Sequence, residues 1–226
     1  MKRVITVLLA ALLVLSLAAC GSRVETKKLA GTWTCTVDVT DRMNAAAEQA
    51  LGLSAADGTA QMPLQLVLTV AEDGAYTLRY DSDAARTALD AYAAALHPTA
   101  VESVYAAAEE QGLSREEYDA AMEKAGITMD DMVAAIFAGV DEEELLSLLT
   151  GRSAALTGYC RAEGGQLYLA DTAADLTETA DCLSYILSDG TMTWTDAQGE
   201  LSSQLTEQEQ ELLRVPLTWT KQEESK

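Results

Sequence analysis

The spacing of hydrophobic positions changes twice along the chain. From Gly31, the residues Trp33, Cys35 and Val37 alternate with Thr32, Thr34, Thr36 and Asp38. A period of two marks a strand with one buried face. Leu64, Leu66, Leu68 and Val70 repeat the pattern, and Tyr76, Leu78 and Tyr80 take it up after Asp73-Gly74. Asp-Gly between two alternating runs predicts a tight hairpin. Alternation returns after Gly151, with Gly164-Gly165 and Asp189-Gly190 as further turn signals. The predicted strands are 32–39, 64–71, 75–81, 154–162, 166–170, 182–188, 191–196 and 215–220. Eight such strands joined mainly by hairpins close into an antiparallel barrel. Its interior is wide enough for side chains or one small ligand, and closure leaves no exposed edge.

Between 82 and 151 the pattern switches to helical spacing. Ala85, Leu89, Tyr92 and Leu96 share one face, as do Val101, Val104, Tyr105 and Ala108. Pro98 predicts a break between those two helices. Gly112-Leu113-Ser114, Gly126-Ile127-Thr128 and Gly139-Val140-Asp141 then form one junction three times. In each, the glycine can end a helix in the left-handed conformation. The polar residue can cap the next helix, with Glu117, Asp131 and Glu144 completing a capping box. Thr40 or Asp41 predicts the cap of a short helix through Leu51, and Thr206 with Glu209 a helix to Arg214. The predicted fold is mainly β: a discontinuous barrel at 28–81 and 152–221 carrying a helical insertion at 82–151.

The start of the chain has a different layout. Lys2 and Arg3 precede an apolar run from Val4 to Leu17. That run is too short to span a bilayer as a helix but suits a secretory signal. Leu17-Ala18-Ala19-Cys20 resembles the lipobox of bacterial lipoproteins, in which this cysteine becomes the lipidated first residue. The resemblance implies a signal peptide at 1–19 and a lipidated tether at 20–27. It also implies attachment to the cell membrane through Cys20, facing the extracytoplasmic side.

A second resemblance concerns the barrel. Gly31-Thr32-Trp33, behind Lys28-Leu29-Ala30, resembles the Gly-x-Trp start of the first strand in lipocalin-like domains. It implies that Gly31, Trp33 and Trp219 form the plug of the closed barrel end. Lys221 would pack across that plug, where an Arg is more usual. The resemblance covers the strands and not residues 82–151.

Charge and chemistry narrow the function. The chain has 36 acidic and 15 basic residues, a net charge of −21. Removing a signal peptide takes Lys2 and Arg3 with it and deepens the charge by two. Such a field repels nucleic acid. Cys35, Cys160 and Cys182 could oxidise outside the cytoplasm, with Cys160–Cys182 the best candidate pair. No C-x-x-C, H-E-x-x-H, G-x-S-x-G, P-loop or Rossmann glycine pattern occurs, so no metal or cofactor is predicted. His97 is the only histidine and is expected at a solvated helix end before Pro98. One histidine leaves little material for a Ser-His-Asp triad. The acidic residues at helix starts are read as complements to helix dipoles.

The expectation is a non-enzymatic protein that binds a small apolar ligand or a peptide in the barrel or in a groove between barrel and helices. Tyr76, Tyr80, Tyr185 and Trp194 lie on the apolar strand phase and would line a hollow barrel; in a filled one they are core. The alternative is a structural or interaction protein of the cell envelope, with the helical insertion as its partner surface.

Overall fold

A computed structural model describes residues 25–53, 60–138, 145–147, 149, 155–177, 180–198 and 207–223. Cys20 with its flanks, the junction Gly139-Val140-Asp141, and Thr206 lie outside the described residues. The chain groups into two compact units. One comprises the chain up to Cys35 with Leu66–Tyr80 and Ala154–Lys226; the other comprises Thr36–Gln65 and Asp81–Ser153.

The barrel is the one the alternation predicts. Its strands are β1 (Gly31–Asp38), β2 (Pro63–Val70), β3 (Ala75–Tyr80), β4 (Leu156–Glu163), β5 (Gln166–Ala170), β6 (Asp181–Ser188), β7 (Thr191–Gln198) and β8 (Leu217–Lys221). They close in sequence order. In β2–β3, Leu66 stands opposite Tyr80, Leu68 opposite Leu78 and Val70 opposite Tyr76. The barrel shuts where Trp33 of β1 pairs with Lys221 of β8. Strand β8 starts at Leu217 rather than 215, because Pro216 has no N–H to give a ladder.

Strand β4 explains its own weak alternation. Its buried positions are Gly158, Cys160 and Ala162, small residues where other strands carry large ones. A Cβ on Gly158 would lie 2.6 Å from the Ala170 carbonyl oxygen and 2.9 Å from the Tyr76 ring. Tyr76 fills the space that β4 leaves. Gly74 is likewise fixed by backbone: it has φ 91°, and a Cβ there would clash with the Cys160 carbonyl oxygen.

The end of the predicted tether takes part in the barrel unit. Residues 25–29 form a helical turn. Glu25 accepts the Gly164 N–H at 2.8 Å, and the buried Thr26 hydroxyl accepts the Ala162 N–H at 3.0 Å. Leu29 is buried beneath them.

The second unit contains the helices α1 (Thr40–Leu51), α2 (Ser82–Glu110), α3 (Arg115–Ala125) and α4 (Met129–Phe137). Helix α1 therefore groups with the insertion rather than with the strands that flank it. The reason is its buried stripe of Met43 and Ala47, and Asn44, which accepts a hydrogen bond from Tyr92 of α2 at 2.6 Å. Thr40 does not cap α1. Its hydroxyl takes the Met62 N–H at 2.8 Å, and the Asp38 carboxylate accepts the Thr40 N–H at 2.9 Å.

Pro98 does not divide α2. One helix runs through it for 29 residues, buried at Leu89, Tyr92 and Leu96 before the proline and at Ala100 and Ala108 after it. Continuous burial on both sides outweighs the lost backbone hydrogen bond. His97 accordingly sits inside a helix, where its Nε2 lies 3.1 Å from Asp130 Oδ1. The first two glycine junctions have the predicted form. Leu113 N–H reaches the Ala108 carbonyl and Ile127 N–H the Met122 carbonyl, closing Schellman turns. Ser114 with Glu117, and Thr128 with Asp131, make reciprocal capping boxes.

Candidate functional site

Three places were singled out by the sequence or stand out in the structure: the plugged barrel end, the barrel interior and a cavity within the helical unit.

The residues expected to plug one barrel end lie on β1, β8 and the turn before β1. Trp33 is 1% exposed, and its indole N–H donates to the Leu29 carbonyl at 2.7 Å. Lys221 Nζ lies 5.3 Å from the centre of the Trp33 ring, a cation–π distance. The lysine stem passes over Gly31, where a Cβ would lie 2.7 Å from Lys221 Cε. Trp219 is fully buried, with its ring centre 4.9 Å from that of Trp194. Gly31, Trp33 and Lys221 thus meet at one rim. Trp219 lies deeper, against Trp194.

The barrel interior holds a cavity of only about 40 Å³. Tyr76 and Trp194 line it together with Leu68, Val70 and Leu167; Tyr80 and Tyr185 do not. About 150 Å³ is needed to hold a benzene, while a water needs roughly 10–15 Å³. The barrel is therefore a packed core with room for a few waters.

Cys35 and Cys160 are buried and Cys182 is half-buried, and none of the three is in a disulfide. Burial, with help from the Asp73 charge, pushes the Cys160 thiol up to about 12. Burial also raises Cys35, against a hydrogen bond from Thr218 that lowers it. The expected Cys160–Cys182 pair is not formed. Strand β5 lies between them, with Leu169 beside Cys160 and Tyr168 beside Cys182. Two strand spacings of ~4.8 Å exceed the reach of a disulfide.

An open groove of about 1510 Å³ lies over the barrel end at Gly31, Thr32, Asp189 and Lys221. The helical unit holds an apolar cavity of about 180 Å³. Sequence reasoning missed it. Helix α1 contributes Met43, Ala46, Ala47 and Ala50, while α2 contributes Leu89, Ala93 and Leu96. Phe137 and Leu145 complete its apolar wall. Four alanines around one space leave it unfilled, because each stops at Cβ. The signal was legible as facing alanines on two amphipathic helices, but not the pairing of those helices. Only Asp90 and Tyr92 bring polar side chains to the lining. Burial raises the Tyr92 hydroxyl above its usual range, so it remains a donor to Asn44.

A separate exposed cluster joins α2 to α3. Arg115 contacts Glu102 at 2.7 Å and Glu109 at 3.3 Å and lies 4.7 Å above the Tyr105 ring. Tyr105 donates to Asp119 at 2.8 Å. Every group in it is satisfied by a neighbour, so it serves as a brace. Among the described residues, no group of three or more His, Cys, Asp or Glu is placed to hold a metal. No helix among them is long and apolar enough to cross a membrane.

No family model, curated protein or solved structure matches the chain. The class defined by the structure is a closed eight-stranded β-barrel with a helical insertion after β3.

Proposed function

We propose that this chain is a non-enzymatic binding protein, held by a lipid on Cys20 at the extracytoplasmic face of a cell membrane. It holds a small apolar ligand in the cavity of its helical unit, and the barrel serves as a filled scaffold. The observation that carries the binding role is the contrast in interior space: about 180 Å³ among the helices against about 40 Å³ in the barrel. Only the first accommodates an organic ligand by the benzene standard.

The anchor rests on the lipobox resemblance at Leu17-Ala18-Ala19-Cys20. Glu25 lies five residues after Cys20, a span of at most about 18 Å. The barrel would sit close to the bilayer. The lipocalin-like reading of the plug is supported by the Gly31, Trp33 and Lys221 contacts. The non-enzymatic reading is supported by the burial that raises the Cys35 and Cys160 thiols and by His97, whose partner Asp130 is an exposed carboxylate.

Native mass spectrometry of protein recovered from a bacterial envelope tests the binding role. A small bound mass that is lost in a variant with the cavity filled, Ala46→Leu, supports it. Retention of that mass in the variant places the ligand elsewhere. Fractionation tests the anchor, because Cys20→Ser should release the protein from membranes and continued retention refutes lipidation.

The envelope-interaction reading is favoured by one observation. Leu113 and Ile127, at the two helix junctions, are 39% and 42% exposed. Loss of a crosslinked partner on changing both to Ser, with ligand binding intact, would move the function to that surface.

A further inference from the structure

We propose that the helical cavity selects a small organic cation: an ammonium group on an apolar body about the size of a phenyl ring. This rests on the binding role proposed above and adds the ligand's chemical class.

The lining decides the class. Its wall is carbon from Met43, the alanines, Leu89, Leu96 and Phe137. Among the described residues, Asp90 is the one carboxylate on it, and that residue is exposed. Among the described residues, Asp90 has no hydrogen-bond or ion-pair partner. The other polar lining group, the Tyr92 hydroxyl, already donates to Asn44 at 2.6 Å. The site therefore offers one unspent negative charge at the edge of an apolar space of about 180 Å³. An anionic ligand would be repelled by that charge, and a neutral one would gain nothing from it. A cation whose apolar part fills the cavity uses both features. The net charge of −21 adds a long-range field that draws cations toward the protein.

Volume sets the size. A cavity of roughly 150 Å³ takes benzene, so about 180 Å³ admits a phenyl ring and leaves an attached aminomethyl group at the edge. A long acyl chain would not fit.

The test uses benzylamine and its neutral isostere ethylbenzene on the purified full-length protein, by ligand-observed NMR at low salt. Benzylamine should bind about threefold more tightly, the size of effect a solvent-exposed ion pair gives. Asp90→Asn should erase that difference by weakening benzylamine alone. Ala50→Phe, at an exposed position on the cavity wall, should abolish binding of both. Equal affinities that ignore Asp90→Asn would overturn the charge selection while leaving an apolar site in place. Benzylamine binding that survives Ala50→Phe would mean scattered attraction to the acidic surface and would also overturn the inference. No binding of either probe to the folded protein would remove the ligand site altogether.

Discussion

The barrel unit and the helical unit differ in the space their interiors leave. Both bury large side chains completely: Trp33, Trp219, Leu29, Leu183 and Met192 in the barrel unit, and Tyr92, Leu53, Met62, Leu64, Leu96, Leu149 and Val133 in the helical unit. The helical unit presents alanines at Ala46, Ala47, Ala50 and Ala93 to a common space. The barrel is therefore nearly solid and the helices enclose a void. A closed eight-stranded sheet is commonly read as a container, yet here the strands make the solid part. Whether an interior is hollow depends on side-chain length at the facing positions more than on fold class. Strand β4 shows the same rule inside the barrel: its small residues leave a gap, and Tyr76 closes it.

The largest effect should come from the solid side. Trp219→Ala removes a fully buried ring tilted against Trp194 and should destabilise by about 3–5 kcal/mol. The sequence supplies separate probes for the two units. Trp33, Trp194 and Trp219 all lie in the barrel unit, so tryptophan fluorescence reports on it alone, while far-UV circular dichroism at 222 nm follows the helices. Urea unfolding read by both should show the loss in fluorescence. An unchanged fluorescence midpoint would mean that the ring is not part of a packed core.

On the helical side, the second largest effect has the opposite sign. Pro98 lies inside α2 and is exposed. Pro98→Ala restores a backbone donor and should stabilise the helix by about 1–3 kcal/mol, raising the dichroism midpoint. A fall in stability would show that the proline sets a bend on which the packing of Leu96 and Ala100 depends.

How much of this was legible follows the same division. The barrel strands could be read because alternation, tight turns and hairpin order are local signals that agree with one another. The helix caps could be read for the same reason: Ser114 with Glu117 and Thr128 with Asp131 each lie within four residues. Failures occurred where distant parts of the chain decide. Burial flanking Pro98 kept one helix where local chemistry predicts two. Tyr76 supplied the bulk missing from β4, so that strand's start was misplaced by two residues. The cavity was invisible because its walls come from α1, α2, Phe137 and Leu145. Tyr80 and Tyr185 share the apolar phase of Tyr76 and Trp194, but phase alone does not say how far along the barrel a residue sits.

Capping should give the next smaller effect. Thr128→Ala removes the hydroxyl that accepts the Asp131 N–H at 3.1 Å and should cost about 1 kcal/mol of helix stability. Its partner carboxylate gives a pH signature. Hydrogen bonds from the Thr128 hydroxyl and backbone N–H hold Asp131 below its ordinary 3.8. The Ser114 backbone N–H and hydroxyl do the same for Glu117, below its ordinary 4.5. A depressed native pKa adds stability above the unfolded value, and that stability is lost as pH falls through the native value. Helical dichroism should therefore weaken first on acidification below about pH 4, ahead of tryptophan fluorescence. Coincident acid transitions would mean that the two units unfold together.

The smallest effect should be at the plug, and it asks whether a charge helps hold a solid core. Lys221→Met keeps the stem that passes over Gly31 and removes the ammonium 5.3 Å from the Trp33 ring. A cation–π contact at an exposed site is worth about 0.5–1 kcal/mol, so a loss near the lower figure is expected in the fluorescence midpoint. A cycle with Trp33→Leu separates the contact from the packing of each residue. Coupling of about 0.5 kcal/mol would assign the lysine a modest role in sealing the barrel end. No coupling would mean that Lys221 covers the Trp33 end of the barrel through its methylenes alone.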